Sequence, residues 1–78
     1  KNMYKLRIDN GEKLKDGRKM IAIAETIGVT NNYLSNIFNQ KKLCTKMIAI
    51  CLISLKENIC INDSRMEYLL DYYFEKVA

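Results

Sequence analysis

Apolar and polar positions change period several times along the chain, and each change marks an element. Near the start, Tyr4, Leu6 and Ile8 alternate with Lys5 and Arg7, a period of two that predicts a strand with one buried face. Asp9-Asn10-Gly11 follows with strong turn chemistry, so the strand is expected to fold back as a β-hairpin. A two-residue loop at Asn10-Gly11 would set Leu6 opposite Lys15 and Ile8 opposite Lys13. A three-residue loop, with Gly11 left-handed in a bulge, sets Leu6 opposite Leu14 and Arg7 against Lys13. The second register keeps one face apolar and is the one expected. Its outer face shows Lys5, Arg7, Lys13 and Lys15, either as a basic ribbon for phosphates or as a solvated face. A short first helix from Glu12 to Lys15 is the alternative for this segment.

Asp16-Gly17 breaks the chain, with Asp16 placed to act near the N-terminus of the next helix. The period then lengthens. From Met20 to Asn39 the chain reads MIAIAETIG, VT, NNYLSNIFN. Ile23, Ala24 and Ile27 form the apolar stripe of a short helix. Gly28 stands where a helix end needs a residue tolerant of the left-handed conformation. Val29 plugs the corner, and the Thr30 hydroxyl can cap a second helix by accepting from a free backbone N–H. Leu34 and Ile37 continue the stripe, while Asn31, Asn32, Ser35, Asn36 and Asn39 are left outside it. Two short helices crossing at a Gly-containing turn need a small residue at the crossing, and Ala24 supplies it. Asn39 is the expected left-handed exit of the second helix.

Beyond Gln40-Lys41-Lys42-Leu43, Thr45 can cap a helix from Lys46 to Lys56. Met47, Ile48, Ile50, Cys51, Leu52, Ile53 and Leu55 make it apolar nearly all round, so it must be buried on several sides. Residues 58–62 read as a connector. Ser64 with Glu67 is a capping-box pattern and predicts a last helix from Arg65 to Lys76. Its apolar face carries Met66, Leu69, Leu70, Tyr73, Phe74 and Val77, and its acidic edge carries Glu67, Asp71 and Glu75.

The Met20–Asn39 segment resembles the lambda-repressor-like (Cro/CI-type) helix-turn-helix family of phage and bacterial regulators. The resemblance rests on Ala24, Gly28, Leu34 and Ile37 in their spacing and covers twenty of the 78 residues. The expected fold is therefore mainly α: a small bundle of about four helices with an N-terminal β-hairpin, forming a single domain over residues 1–78. The first 17 residues depart from the family, whose members usually begin with a helix. Many members also have Gly near the end of the second motif helix, where this chain has Asn39.

Charge sharpens the picture. Thirteen Lys/Arg stand against nine Asp/Glu, a net charge of +4, and the sequence pI is about 9.0. Residues 1–46 hold ten basic and four acidic side chains, net +6, while residues 47–78 hold three and five, net −2. A basic half carrying the paired helices and an acidic half behind it suits a polyanion on one side only. Arg18 and Lys19 open the first motif helix, where cations oppose the helix dipole by a few tenths of a kcal/mol. A phosphate at that N-terminus would remove the conflict.

Three cysteines, Cys44, Cys51 and Cys60, form no Cys-x-x-Cys pair, and there is no His. A disulfide framework and a zinc site are not expected, and reduced thiols place the chain in the host-cell cytosol. The longest apolar run, Met47 to Leu55, is far below the roughly 20 residues a membrane span needs, and no signal peptide is visible.

Catalytic chemistry lacks its parts. Without His, a Ser or Cys nucleophile has no usual base, and no Gly-rich phosphate loop is present. No catalytic residue, cofactor, metal or small-molecule ligand is expected. The resemblance implies a sequence-specific regulator of transcription, a phage or mobile-element repressor that lays its second motif helix in the major groove of double-stranded DNA. By that pattern Asn31, Asn32, Tyr33, Ser35 and Asn36 contact bases. Met20 stands where some members carry a Gln that touches bases, so no base contact is expected there. Phosphate contacts fall to Arg18, Lys19, Thr30, Asn39, Lys41, Lys42 and Lys46. Excess apolar surface in a small chain predicts a homodimer, joined through the tyrosine-rich C-terminal helix. The alternative is a helix-turn-helix scaffold that binds and inhibits a partner protein.

Overall fold

A computed structural model describes residues 3–78; Lys1, counted in the basic half, lies outside them. The order of elements is β1 (Met3–Leu6), α1 (Gly11–Lys15), α2 (Met20–Ile27), α3 (Asn31–Phe38), β2 (Cys44–Thr45), α4 (Lys46–Glu57), α5 (Met66–Tyr73) and β3 (Phe74–Lys76). The strands form one antiparallel sheet in the order β2-β1-β3. The expectation of a mainly α bundle with an N-terminal hairpin is overturned. The chain is a mixed α/β fold, with five helices and a three-stranded sheet among the described residues.

The period-two signal at the start was real, but its partner is not the neighbouring segment. Tyr4 and Leu6 are buried and Lys5 is exposed. Leu6 pairs with Phe74 and Tyr4 with Lys76 on one side of β1, while Tyr4 faces Cys44 on the other. The expected registers of Leu6 against Leu14 and Arg7 against Lys13 do not form. After a turn at Ile8-Asp9, closed by Asn10 N–H donating to the Arg7 carbonyl at 3.0 Å, the chain enters α1. Leu14 reaches the core from that helix. Ile8, assigned to the apolar face of a hairpin, is 78 % exposed. Asp16 adopts a left-handed conformation (φ 55°) that ends α1, rather than assisting the start of α2.

The C-terminal helix is three residues shorter than its apolar pattern. Its last carbonyls are taken by the β1–α1 connection: Arg7 Nε donates to Asp71 O at 2.9 Å, Asn10 Nδ2 to Tyr72 O at 2.6 Å, and Arg7 N–H to Tyr73 O at 3.0 Å. With those acceptors satisfied and a cation at the negative end of the helix dipole, the backbone swings to extended geometry at Phe74 (φ −127°, ψ 163°). It then adds β3 to the edge of β1. Arg7 is thereby a cap of α5 and no part of a basic ribbon. Lys13 donates to the Tyr72 hydroxyl at 3.0 Å, and Lys15 pairs loosely with Glu12 at 3.8 Å.

The start of α5 also differs from expectation. Among the described residues no side chain caps α5, and Asp63 rather than Ser64 holds the residue at its N-cap: the Asp63 carboxylate accepts from Arg65 N–H at 2.8 Å and from the Arg65 guanidinium at 2.9 and 3.0 Å. These bonds hold the Asp63 carboxyl at about 2, below the ordinary carboxylate range. The two carboxylate oxygens accept all three bonds, one from the backbone and two from the guanidinium fork, more than the single oxygen of a hydroxyl can take.

The apolar helix α4 packs against α5, α1, α2, β1 and β2, as an element apolar on several faces must. Thr45 Oγ1 caps it by accepting from Ile48 N–H at 3.3 Å. Tyr73 and Phe74 close the chain's own core, at 3 % and 1 % exposure.

Asn10 is buried, with its amide committed to Tyr72 O. Asn10→Ala is expected to lose that bond and strand a carbonyl, lowering stability by about 1–3 kcal/mol. Lys5→Ala, on an exposed side chain, should fall within about 0.5 kcal/mol of the parent. Urea unfolding of the two variants checks the contrast.

Candidate nucleic-acid interface

The pair α2 and α3 is built by local chemistry. Gly28 ends α2 at φ 80°, and the N–H groups of Gly28 and Val29 both donate to Ala24 O, at 2.9 and 3.0 Å. No heavy atom outside its immediate neighbours would lie within 4 Å of a Cβ at Gly28, so glycine is needed there for the left-handed turn alone. Thr30 Oγ1 accepts from Tyr33 N–H at 3.0 Å and caps α3. Ile23, Ala24, Leu34 and Ile37 are buried, with Ile27 and Val29 half-buried against the same core. These side chains fix one face of α3 inward. The opposite face is therefore fixed outward.

The exit from α3 departs from expectation by one residue. Asn39 keeps a near-helical backbone (φ −94°, ψ 12°), and Gln40 is the left-handed residue at φ 59°. Lys41 N–H donates to Asn36 O at 2.9 Å and Gln40 N–H to Ile37 O at 3.1 Å. That bond pair is a Schellman motif, here with Gln in the position glycine usually fills. The turn lifts Lys41 and Lys42 to the surface between buried Phe38 and buried Cys44. Lys42 Nζ lies over the Tyr33 ring, 5.7 Å from its centroid. Nothing in the sequence pointed to this cation–π contact, because the two residues share no helical period and meet only through the turn.

The expected base-contacting residues lie on α3. Asn31 and Asn32 are exposed, and Ser35 and Asn36 are half-exposed. The side chains of Asn31, Asn32 and Asn36 make no hydrogen bond among the described residues. Asn39 Nδ2 donates to Ser35 Oγ at 3.5 Å. Tyr33 is half-buried, its phenol raised above the ordinary value first by burial and then by the nearby Cys44 thiol.

The expected phosphate-contacting residues divide. Lys19, Lys41 and Lys42 are exposed and unpaired by any carboxylate among the described residues. The Thr30 hydroxyl accepts in its cap and keeps its own proton to donate. Arg18 is turned away, with Nη1 donating to Leu55 O at 3.1 Å at the C-terminal end of α4. Lys46 Nζ pairs with Glu67 of α5 at 3.2 Å. From Thr26 to Lys56 the chain carries no Asp or Glu.

Two shallow grooves lie outside this face. One, of about 450 Å³, is lined by β1, its following turn, Gln40 and Glu75; the other, of about 460 Å³, lies between Arg18 and the end of α4. Among the described residues no group of three or more His, Cys, Asp or Glu is placed to hold a metal, and no helix is long and apolar enough to cross a membrane. Comparisons of the chain with protein-family models, with curated proteins and with solved structures find no match.

Gln40 holds a left-handed backbone without glycine's freedom. Gln40→Gly is expected to raise stability by about 1 kcal/mol, read as a higher urea midpoint with an unchanged slope. Burial pushes the Cys44 thiol up to about 11 from an ordinary value of 9.0. A raised folded value means that its contribution to stability is full below pH 9 and lost as pH rises towards 11. In native protein at pH 8, iodoacetamide should modify exposed Cys60 and spare Cys44 until the chain unfolds. Peptide mass mapping checks both.

Proposed function

We propose that this chain is a sequence-specific DNA-binding regulator of the lambda-repressor-like helix-turn-helix kind, a repressor of the phage or mobile-element type. In this reading α3 lies in the major groove and the chain acts as a homodimer. The observation that carries it is the outer face of α3: a stripe of unbonded amides, held rigidly by the packing of α2, with free lysines at its end and no carboxylate on the segment. Asn31, Asn32 and Asn36 face base edges, where uncharged donor–acceptor groups read sequence. Lys19 at the start of α2, and Lys41 and Lys42 on the turn after α3, hold phosphates with the Thr30 hydroxyl. Tyr33 serves as the platform that positions Lys42. A polyanion fits this face better than a protein partner does, since a surface that had left DNA behind would have no reason to exclude acidic groups over so long a stretch.

In the same reading, two copies meet through the outer side of α5. Tyr68 stands 72 % exposed there, whereas Tyr72 is already engaged by Lys13 and by an edge-on contact with Tyr73 at 4.9 Å. A two-fold pair would set the two copies of α3 about 34 Å apart, one turn of DNA.

Three free lysines per subunit predict a slope of about −3 per subunit in log K against log salt, and Lys41→Ala or Lys42→Ala should each flatten it by about one unit for all sequences alike. Fluorescence anisotropy with labelled duplexes measures this, and an affinity indifferent to salt would end the groove-binding reading. Light scattering at micromolar concentration should give a dimer for the parent and a monomer for Tyr68→Glu.

A further inference from the structure

The DNA-binding reading leaves open what the face reads, and its chemistry is narrower than a general groove binder needs. Major-groove recognition depends on the order of donors and acceptors. Guanine presents two acceptors and is read by a group with two donors, Arg or Lys. Cytosine offers a donor and is read by a carboxylate. Adenine presents a donor at N6 beside an acceptor at N7 and is read by an amide, which carries one of each in a plane.

The outer face of α3 holds amides and one hydroxyl. Its nearest cations are beyond the end of the helix, on the Schellman turn, where the Lys42 ammonium is drawn over the Tyr33 ring. No carboxylate occurs between Thr26 and Lys56. The Ser35 hydroxyl accepts from Asn39 at 3.5 Å; of the three unbonded amides, Asn31 stands at the first position of α3, and Asn32 and Asn36, four residues apart, share one face of the helix.

Resting on that reading, we propose that α3 is an adenine reader: it takes an A·T-rich half-site in which Asn32 and Asn36 each hold one adenine through N6 and N7. Four helical residues rise about 6 Å, and base pairs repeat about every 3.4 Å. A helix laid along the groove thus places the two adenines about two base steps apart. Guanine at either position meets an amide with one donor too few, and the N–H or carbonyl left unpaired works against binding.

The test uses the full chain. Selection from a randomised duplex library gives the preferred site. Anisotropy then compares that site with copies carrying 7-deazaadenine, which lacks the N7 acceptor, or guanine at each adenine in turn. The expected result is an A·T-rich site with two critical adenines, each replacement weakening binding about ten- to a hundred-fold. Asn36→Ala should become indifferent to replacement at one adenine while still sensing the other, and Asn32→Ala the reverse. Both residues lie on the outer face and these variants are expected to fold, which circular dichroism verifies. A G·C-rich selected site, or 7-deazaadenine bound as tightly as adenine, would overturn the adenine code while leaving DNA binding intact. Failure to bind any duplex at low salt would overturn the DNA-binding reading and the code together.

Discussion

The capture of the α5 carbonyls by Arg7 and Asn10 is the contact on which the rest of the architecture depends. It joins residues more than sixty positions apart in the sequence, stops α5 at Tyr73, and delivers Phe74 to the edge of β1. Without it the last residues have no reason to leave the helix, because their apolar spacing suits one more turn. With it, β1 becomes the central strand of a sheet and ties the two ends of the described chain together.

That closure reaches the outward face of α3 through β2. The two residues of β2 pair with β1 at Met3 and Tyr4, so the turn that carries Lys41 and Lys42 is pinned at both ends. On one side stands buried Phe38 at the end of α3; on the other, buried Cys44 in the sheet. The lysines are displayed by a short, doubly anchored turn rather than by a free loop. The left-handed Gln40 is the strained link, and its cost, about 1 kcal/mol, is offset by the core contacts at either side. Rigid display lowers the ordering cost of any ligand that meets these groups.

Charge in the fold is arranged by partner rather than by sequence half. Lys13 meets Tyr72, Arg7 meets Asp71 O, and Lys46 meets Glu67. These cations are spent on the C-terminal segment. Each such surface contact contributes little to stability, typically under about 1 kcal/mol, but together they turn three of the N-terminal cations towards the C-terminal segment. Around α3, Lys19, Lys41 and Lys42 remain without a carboxylate partner among the described residues.

The sequence by itself determined many of the features governed by groups within about five residues of one another, though not the exit of α3 at Gln40 or the role of Asp63 before α5. Gly28 as the left-handed end of α2, Thr30 and Thr45 as caps, Ala24 at the crossing, and the burial of Leu34 and Ile37 all follow from local backbone chemistry and helical spacing. So does the outward placement of Asn31, Asn32 and Asn36. The alternation of buried Tyr4 and Leu6 with exposed Lys5 as a one-faced strand was equally legible, since alternation marks a strand without naming its neighbour. Only the tertiary structure decided that the neighbour is Phe74–Lys76 and not Lys13–Lys15, because pairing is chosen by which segment brings satisfied ends and an apolar partner to the strand, and Phe74 does this where a lysine-rich return strand would not. The same long-range choice took Arg18 and Lys46 out of the free cations and ended α5 three residues early: each depends on a contact between segments that the linear order keeps apart.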